Sequence, residues 1–218
     1  PLVRMVRPRV AVVTTVSHAH SGNFADGIEG VARAKSEIFA AGGEVAIVNR
    51  DIPHHDMLAA EARRRGFPST IGFGEHAAAE FRLVAARPDR GGIAVDADIG
   101  GHRLSYLVGA PGRHWAMNSL AVLAAARALG ADLEQAAAAL ATVSAPKGRG
   151  QQRWLGPTHA RFLLLDESYN ANPASMRATL QQLAATPARR RVAILGAMKE
   201  LGDKSESFHA ALAEPIIA

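Results

Sequence analysis

Hydrophobic and polar positions follow two periods along the chain, one typical of buried strands and the other of amphipathic helices. Short runs of apolar and β-branched residues predict strands at residues 9–16, 44–49, 80–86, 92–98, 103–108, 162–166 and 191–195. Apolar positions spaced three and four apart predict helices at residues 28–41, 56–65, 115–129, 133–142, 173–184 and 205–213. Because the two kinds of element alternate, the pattern indicates an α/β fold.

The distribution of glycine and proline divides this pattern into two parts. Paired glycines at 91–92 and 100–101 separate three consecutive strands, which predicts an antiparallel meander. Residues 144–152 are small, basic and rich in Gly and Pro, without apolar periodicity, and therefore predict a linker. Beyond it the alternation restarts, which predicts the opening of a second α/β unit built on a parallel sheet. Since the chain starts with Pro1 rather than Met, we interpret it as a piece of a longer protein.

The composition excludes several classes of protein. With 48% hydrophobic and 21% charged residues, the chain resembles globular rather than disordered proteins. Charges interrupt every apolar run before the ~20 residues that a membrane helix requires, so no transmembrane helix is expected. No cysteine is present, which excludes disulfides and thiolate catalysis and fits a reducing compartment. The net charge of +5 is dispersed and aromatic residues make up 5%, which favours a phosphate-bearing ligand over a nucleic acid.

Lys35 is the most informative single residue of the sequence. It falls on the apolar stripe of the helix predicted at residues 28–41, on the same face as Val31, Ile38 and Phe39. A lysine buried there loses hydration, which favours the neutral, nucleophilic amine. The alternative is a lysine whose stem packs on the core while its charged end reaches the solvent.

Histidines follow two of the predicted strands, at the end where open α/β sheets bind their ligands. His18 and His20 come after the first strand and could hold a metal or a phosphate, although His-x-His also occurs in ordinary surface loops. His54 and His55 precede a helix, where a solvated turn or a capping role is expected. The first pair is therefore the stronger candidate for a site.

Two further junctions carry polar groups beside a helix start. Residues 112–118 (GRHWAMN) open a helix with free N–H groups, a geometry that can receive a nucleotide. The alternative there is a capped helix with Trp115 and Met117 in the core. Residues 165–173 (LDESYNANP) crowd two acids, a tyrosine and two asparagines before Pro173, which suits the first position of a helix. These groups exceed what one helix cap requires, so we favour a site.

A phosphate-binding loop is not found in the sequence. The Walker pattern GxxxxGK[ST] is absent, and residues 202–205 imitate only its end. Asp203 separates the glycine from the lysine there and would repel phosphate. Residues 72–74 lack the third glycine and the acidic partner of a dinucleotide fingerprint. If the protein uses ATP, its phosphate loop lies elsewhere in the longer protein.

In order and spacing, these motifs resemble the Mur ligase family, and within it the ligases that add D-alanyl-D-alanine. The most specific motif is SYNANP at residues 168–173, followed by Ser175, Met176 and Arg177. The resemblance covers nearly the whole chain through the strings EGVARAK (29–35), GFGEH (72–76), GRH (112–114), GRGQ (148–151) and LG (195–196), together with Asn118, Met198 and ELG (200–202).

The resemblance implies a fold and a reaction. Residues 1–146 would form a central ATPase domain, a mixed sheet flanked by helices, and residues 147–218 would begin a Rossmann-like C-terminal domain. ATP would phosphorylate the carboxylate of UDP-MurNAc-tripeptide, and the amine of D-Ala-D-Ala would attack the acyl phosphate, with Mg²⁺ offsetting charge. We therefore expect a cytoplasmic monomer that makes peptidoglycan precursors, without a nucleic-acid partner or a membrane span.

The resemblance also implies roles for single residues. Lys35 corresponds to a lysine that is carbamylated by CO₂ and helps to hold Mg²⁺, and His20 to a metal-site histidine. Arg149 corresponds to the linker arginine that reaches the terminal phosphate. The nucleotide would be contacted by His114, Asn118, Asp166, Glu167, Tyr169 and Asn170. Trp115 stands where the family usually has an asparagine, and Glu167 where it usually has an aspartate.

Two alternative functions compete with this interpretation. One is a related ligase that adds a different amino acid, such as an enzyme of the folylpolyglutamate synthase type. The other is a nucleotide-binding homologue without catalytic activity. The SYNANP string argues against the first, and a Walker motif in the longer protein would argue against the second.

Overall fold

The structure is a computed structural model that describes residues 2–18 and 23–217. The described chain divides into two compact units. The first comprises Pro1–Val16 and Glu29–Val143, and the second comprises Ser17–Ile28 and Ser144–Ala218. Each unit has its own hydrophobic core and is described by itself below.

The described part of the first unit is built on one six-stranded sheet. Its strands, in spatial order as well as chain order, are β1 (Val10–Val13), β2 (Val45–Asn49), β3 (Ser69–Gly74), β4 (Phe81–Asp89), β5 (Gly92–Ile99) and β6 (His102–Val108). Strands β1 to β4 pair in parallel and β4 to β6 pair antiparallel, so the predicted meander on a mixed sheet is confirmed. Strand β3 was not predicted, because its two glycines interrupt the apolar pattern.

The described helices of this unit are α1 (Val3–Val6), α2 (Ile28–Ser36), α3 (His55–Arg64), α4 (Arg113–Ala128) and α5 (Leu133–Leu140). Helices α2 to α5 lie where the apolar spacing predicted them, whereas the short helix α1 was not predicted. Helix α2 is shorter than predicted, since the chain passes into a 3-10 turn at Glu37–Phe39. Among the described residues, no helix combines the length and the apolarity needed to cross a membrane.

The core of the first unit lies between the sheet and α4. Phe73, Phe81, Leu120 and Leu123 are completely buried in one cluster. Small alanines on α4 let its backbone approach the sheet, and each buried Leu or Phe side chain contributes about 1.5–3 kcal/mol. This packing fixes the start of α4 relative to the ends of the strands. Polar residues lie at both places.

The described part of the second unit has a smaller core. Its elements are β7 (Gln151–Leu155), β8 (Phe162–Asp166), α6 (Pro173–Ala185), α7 (Ser205–Ala210) and α8 (Ala213–Ile217). Strands β7 and β8 pair antiparallel, from Gln151 opposite Asp166 to Leu155 opposite Phe162. Leu180, Met198, Leu201 and Leu212 form the buried cluster.

Several predictions for the second unit were wrong in detail. The described strands form an antiparallel pair rather than a parallel sheet. Residues 191–195 form no strand, because no other described segment pairs with them, and Ile194 is 95% exposed. The predicted linker ends earlier than residue 152, since β7 begins at Gln151, and the helix predicted at residues 205–213 is divided into α7 and α8.

Candidate active site

Asp51 organises the ends of two neighbouring parallel strands in the first unit. It follows β2, and its carboxylate accepts hydrogen bonds from the backbone N–H groups of Glu75 and His76, both at 2.8 Å, just beyond β3. Gly74 permits this approach, because a Cβ at that position would lie 2.6 Å from the Asp51 carboxylate oxygens. The loop after β3 is therefore held in place by a side chain from the end of β2.

Glu75, held in this way, reaches the start of helix α4. Its Oε1 accepts hydrogen bonds from Nη2 and Nε of Arg113, at 2.7 and 3.0 Å. Both side chains are about half exposed, so this ion pair adds at most about 1 kcal/mol and chiefly fixes orientation. We call Asp51, Glu75 and Arg113 the Asp51 network, which joins the ends of β2 and β3 to the first turn of α4.

The first turns of α4 carry two of the predicted nucleotide contacts. His114 is half-buried, and burial lowers the pKa of its imidazole below the ordinary value of 6.5, so the ring is neutral at pH 7. Asn118 is exposed one turn further along the same helix face. A neutral imidazole and an amide on one face can both donate and accept hydrogen bonds, which suits the edge of a nucleobase.

The expectation that Trp115 and Met117 lie in the core is also correct. Trp115 and Met117 are partly buried and pack against the core cluster. The indole N–H of Trp115 is buried without a hydrogen-bond partner among the described residues. Residues 115–117 therefore anchor the helix, and His114 and Asn118 are the side chains left for a ligand.

Lys35 is exposed, so the prediction that it lies in a buried stripe is wrong. Helix α2 ends at Ser36, and its buried residues are Gly30, Val31 and Ala32. Since a 3-10 turn follows, the helical spacing that grouped Lys35 with Phe39 does not continue. Lys35 lies in the last turn of α2, where a positive side chain interacts favourably with the helix dipole. The desolvation argument for a neutral amine therefore fails, and its metal-site role stays a prediction.

His54 and His55 are buried, which contradicts the expected solvated turn. His54 does occupy the N-cap position of α3, but its side chain makes no capping hydrogen bond. His54 Nε2 lies 3.1 Å from Glu29 Oε1 at the start of α2. His55 Nδ1 lies 2.9 Å from Asp56 Oδ1, and both of its ring nitrogens lie 3.3 Å from Arg50 Nη1. These contacts tie α3 to its neighbours, so the pair stabilises the fold.

The first histidine pair is only partly described. The ring of His18 packs against that of Phe208, with 4.9 Å between centroids, within the second unit. His20, predicted as a metal ligand, lies outside the described residues.

In the second unit, the structure brings Arg149 together with the residues that follow β8. Gly150 N–H donates to the carbonyl of Asp166 at 2.9 Å, and Tyr169 N–H donates to that of Gly148 at 3.1 Å. The two segments thus stay paired beyond β7 and β8. The guanidinium carbon of Arg149 lies 4.0 Å from the centroid of the Tyr169 ring, which is a cation–π contact.

The two adjacent carboxylates of this segment differ in their electrostatics. The Ser168 hydroxyl donates to Asp166 Oδ1 at 2.7 Å, and this bond, with that from the Ser168 N–H, lowers the pKa of Asp166. Burial raises the pKa of Glu167, and the neighbouring Asp166 charge adds to the rise while Arg149 opposes it. The anionic form of Asp166 is therefore favoured, whereas the protonated form of Glu167 is more accessible than that of an exposed glutamate.

Part of the SYNANP string has a local structural role. Asn172 caps α6, since its Oδ1 accepts from the N–H groups of Ala174 and Ser175 at 3.1 and 3.0 Å. Ser175 completes a capping box, and Pro173 occupies the first turn of the helix. Asn170 and Tyr169 are exposed and contribute nothing to the cap, so they remain candidates for ligand contact.

A metal site is not complete within the described residues. No group of three His, Cys, Asp or Glu side chains among them is arranged to hold a metal ion. Mg²⁺ prefers oxygen ligands, whereas the Asp51 carboxylate is engaged by backbone N–H groups and Lys35 carries no oxygen. The described side chains, without modification of Lys35, therefore do not complete a Mg²⁺ site.

The Asp51 network was missed by the sequence analysis. Its members are separated by 24 and 38 positions along the chain, so no local motif joins them. A signal was nevertheless present, since Asp51 lies two residues beyond a predicted strand and GFGEH belonged to the recognised pattern. An acid at the carboxyl end of a parallel strand is a site candidate by position alone.

Comparison with known proteins supports the resemblance drawn from the motifs. The family model of the Mur ligase middle domain matches residues 1–126, and that of the Mur ligase glutamate ligase domain matches residues 154–218. Two curated relatives are named UDP-N-acetylmuramoyl-tripeptide--D-alanyl-D-alanine ligase. The one from Synechocystis is 36% identical over 95% of this chain, and the one from Escherichia coli is 35% identical over 97%. The chain spans 42% and 46% of their lengths, less than half of either.

Solved structures agree with this assignment. MurF from Acinetobacter baumannii superposes with a TM-score of 0.85 at 28% identity, over 98% of this chain and 45% of that one. MurF from Thermotoga maritima, solved in complex with ADP, gives a TM-score of 0.79 at 26% identity, over 96% and 46% of the two chains. The middle-domain model alone matches more than half of the residues. The chain therefore belongs to the Mur ligase family.

Proposed function

We propose that this chain is part of an ATP-dependent amide ligase of the MurF type, which adds D-Ala-D-Ala to UDP-MurNAc-tripeptide. The observation that carries the proposal is the 36% identity, over 95% of the chain, to a ligase named for that reaction. The SYNANP string at residues 168–173 supports the same branch of the family. The reaction would take place in the cytoplasm, and we expect a monomer.

The proposed reaction forms one amide bond and consumes one ATP. The tripeptide carboxylate takes the γ-phosphoryl group of ATP and releases ADP. The amine of D-Ala-D-Ala then attacks the acyl phosphate, forms the amide and expels inorganic phosphate. The attacking amine must lose a proton, and the developing negative charge on phosphate must be offset by cations. Mg²⁺ would supply part of the positive charge that offsets it.

We assign the nucleotide contacts to the residues that the family resemblance implies. His114 and Asn118 would bind the base, because they share one face of α4 and offer uncharged hydrogen-bonding groups. Arg149 would bind the terminal phosphate through its planar set of N–H donors. Among the described residues its guanidinium donates no hydrogen bond to a protein acceptor, which leaves those donors available. The remaining contacts would come from Asp166, Glu167 and Asn170, and the Tyr169 ring lies beside the Arg149 guanidinium.

Lys35 and His20 would support the metal. The exposed position of Lys35 leaves its amine accessible to CO₂. The deprotonated amine nitrogen would bond to the CO₂ carbon and release one proton to solvent, which gives a carbamate. The carbamate is an anion and would lie near the C-terminus of α2, where the helix dipole disfavours negative charge. It would therefore require a cation beside it, which is consistent with a metal-site role.

The test is phosphate release by the full-length gene product that carries this chain, with ATP, Mg²⁺, UDP-MurNAc-tripeptide and D-Ala-D-Ala. We expect release that depends on D-Ala-D-Ala, is lost in Lys35→Ala and is partly restored by short carboxylates. Lys204→Ala removes another exposed lysine and serves as the matched control, with release unchanged. Folded protein that binds ATP without any turnover would overturn the ligase proposal in favour of a non-catalytic homologue.

A further inference from the structure

Tyr169 lies against Arg149 through contacts of both backbone and side chain. The backbone N–H of Tyr169 donates to the carbonyl of Gly148 at 3.1 Å. Gly148 has a φ of +74°, and a Cβ there would lie 3.1 Å from the backbone nitrogen and Cβ of Tyr169. The positive φ and the close approach together favour glycine at residue 148. The two segments of the chain are held so that the Arg149 side chain contacts the Tyr169 ring.

The orientation of the Tyr169 ring is set by its contact with Arg149 and not by burial. Tyr169 is 67% exposed, which is nearly the same exposure as that of Trp154 on β7. Burial therefore does not explain its orientation. The 4.0 Å distance between the Arg149 guanidinium carbon and the ring centroid does, because a cation is attracted to the negative face of an aromatic ring.

Stacking restricts Arg149 without using its hydrogen-bond donors. A guanidinium over a ring keeps its in-plane N–H groups free, and those are the groups that bind phosphate in a bidentate manner. An arginine held in one place loses less conformational freedom when an anion binds.

We propose that Tyr169 is a positioning residue, whose ring holds the guanidinium of Arg149 ready for the terminal phosphate of the nucleotide. This inference rests on the proposed function, in which Arg149 binds that phosphate. It assigns Tyr169 a role through Arg149 instead of a direct contact with the nucleotide. The phenol oxygen is not needed for that role, whereas the aromatic ring is.

The test is a double-mutant cycle on the full-length gene product, with kcat/KM for ATP as the readout. Tyr169→Leu removes the ring and is expected to lower kcat/KM about two- to fivefold, the size of an exposed cation–π contact. In an Arg149→Ala background, the same substitution is expected to have no further effect. Tyr169→Phe keeps the ring and is expected to recover most of the loss. Trp154→Leu, the control for an equally exposed aromatic, is expected to leave kcat/KM unchanged.

A second readout does not depend on turnover. In NMR spectra of the wild type, the ring current of Tyr169 is expected to shift the Hε resonance of Arg149 upfield, and Tyr169→Leu is expected to abolish the shift. An unshifted resonance in the wild type would overturn the stack even if the protein is an active ligase. A full effect of Tyr169→Leu in the Arg149→Ala background would also overturn the positioning role. Absence of turnover in the wild type would instead count against the proposed function.

Discussion

The Asp51 network makes a quantitative prediction for Asp51→Ala. The substitution removes the acceptor of the Glu75 and His76 N–H groups, which lie 2.8 Å from the carboxylate. A hydrogen bond to a charged acceptor is worth about 1.5–3 kcal/mol when it is buried. Here the carboxylate is exposed and water can replace it, so we expect the loss of two such bonds to cost about 1–2 kcal/mol in total.

The assay can be confined to the first unit. The chain has two tryptophans, Trp115 in the first unit and Trp154 in the second. In a Trp154→Phe background, urea unfolding followed by fluorescence reports on the first unit through Trp115. Asp51→Ala is then expected to lower the free energy of unfolding by about 1–2 kcal/mol, a 5- to 30-fold change in the ratio of folded to unfolded protein.

Two comparison variants make this prediction refutable. Asp51→Asn keeps the Oδ1 that lies 3.0 and 2.8 Å from the two N–H groups, so it should lose less than half as much free energy. Asp89→Ala removes a carboxylate whose nearest cation is Arg90 Nε at 4.0 Å, and it should cost less than about 0.5 kcal/mol. If Asp51→Ala is no less stable than Asp89→Ala, the network does not hold the loop after β3.

Three further predictions concern core packing, helix capping and charge. Leu123→Ala empties a completely buried position of α4, which should cost about 2–5 kcal/mol in urea unfolding; a loss below 1 kcal/mol would contradict the assigned core. Asn172→Ala removes the cap of α6 and should cost about 1 kcal/mol, most of which Asn172→Ser should retain; equal losses would contradict the cap. The lowered pKa of Asp166 means that its charge stabilises the folded state above the ordinary value of 3.8, and that this stabilisation is lost as the pH falls through the folded-state value. The difference in unfolding free energy between wild type and Asp166→Asn should therefore be constant from pH 7 to 5 and shrink below 3.8; a constant difference down to pH 2 would contradict the assignment.

Local sequence patterns predicted the elements whose signal lies within their own residues. Strand β8 matched its predicted bounds, because residues 162–165 form an uninterrupted apolar run that ends at Asp166. The meander of β4 to β6 followed from paired glycines at its turns. Strand β3 was missed since its glycines weaken the apolar signal, and β7 was missed since QQRWL is largely polar. Both strands are stabilised by pairing with neighbouring strands, which the pattern of their own residues does not encode.

In the candidate site, too, only the residues that belong to local motifs were predicted. The motifs at residues 112–118 and 165–173 were found because their polar groups crowd a helix start. Lys35 was placed in a buried stripe by extending a helical period beyond the point where α2 ends. The stack of Arg149 on Tyr169 joins residues that are 20 positions apart, and the Asp51 network joins more distant ones. Contacts of this kind are decided by tertiary structure.

The central claim, addition of D-Ala-D-Ala to UDP-MurNAc-tripeptide, is tested most directly by the mass of the product. The full-length gene product would be incubated with ATP, Mg²⁺, UDP-MurNAc-tripeptide and an equimolar mixture of D-Ala-D-Ala, L-alanine and L-glutamate. We predict one new nucleotide-linked species whose mass equals that of the tripeptide substrate plus D-Ala-D-Ala minus water. A product that contains L-alanine or L-glutamate, or ATP-binding protein that forms no product, would contradict the claim.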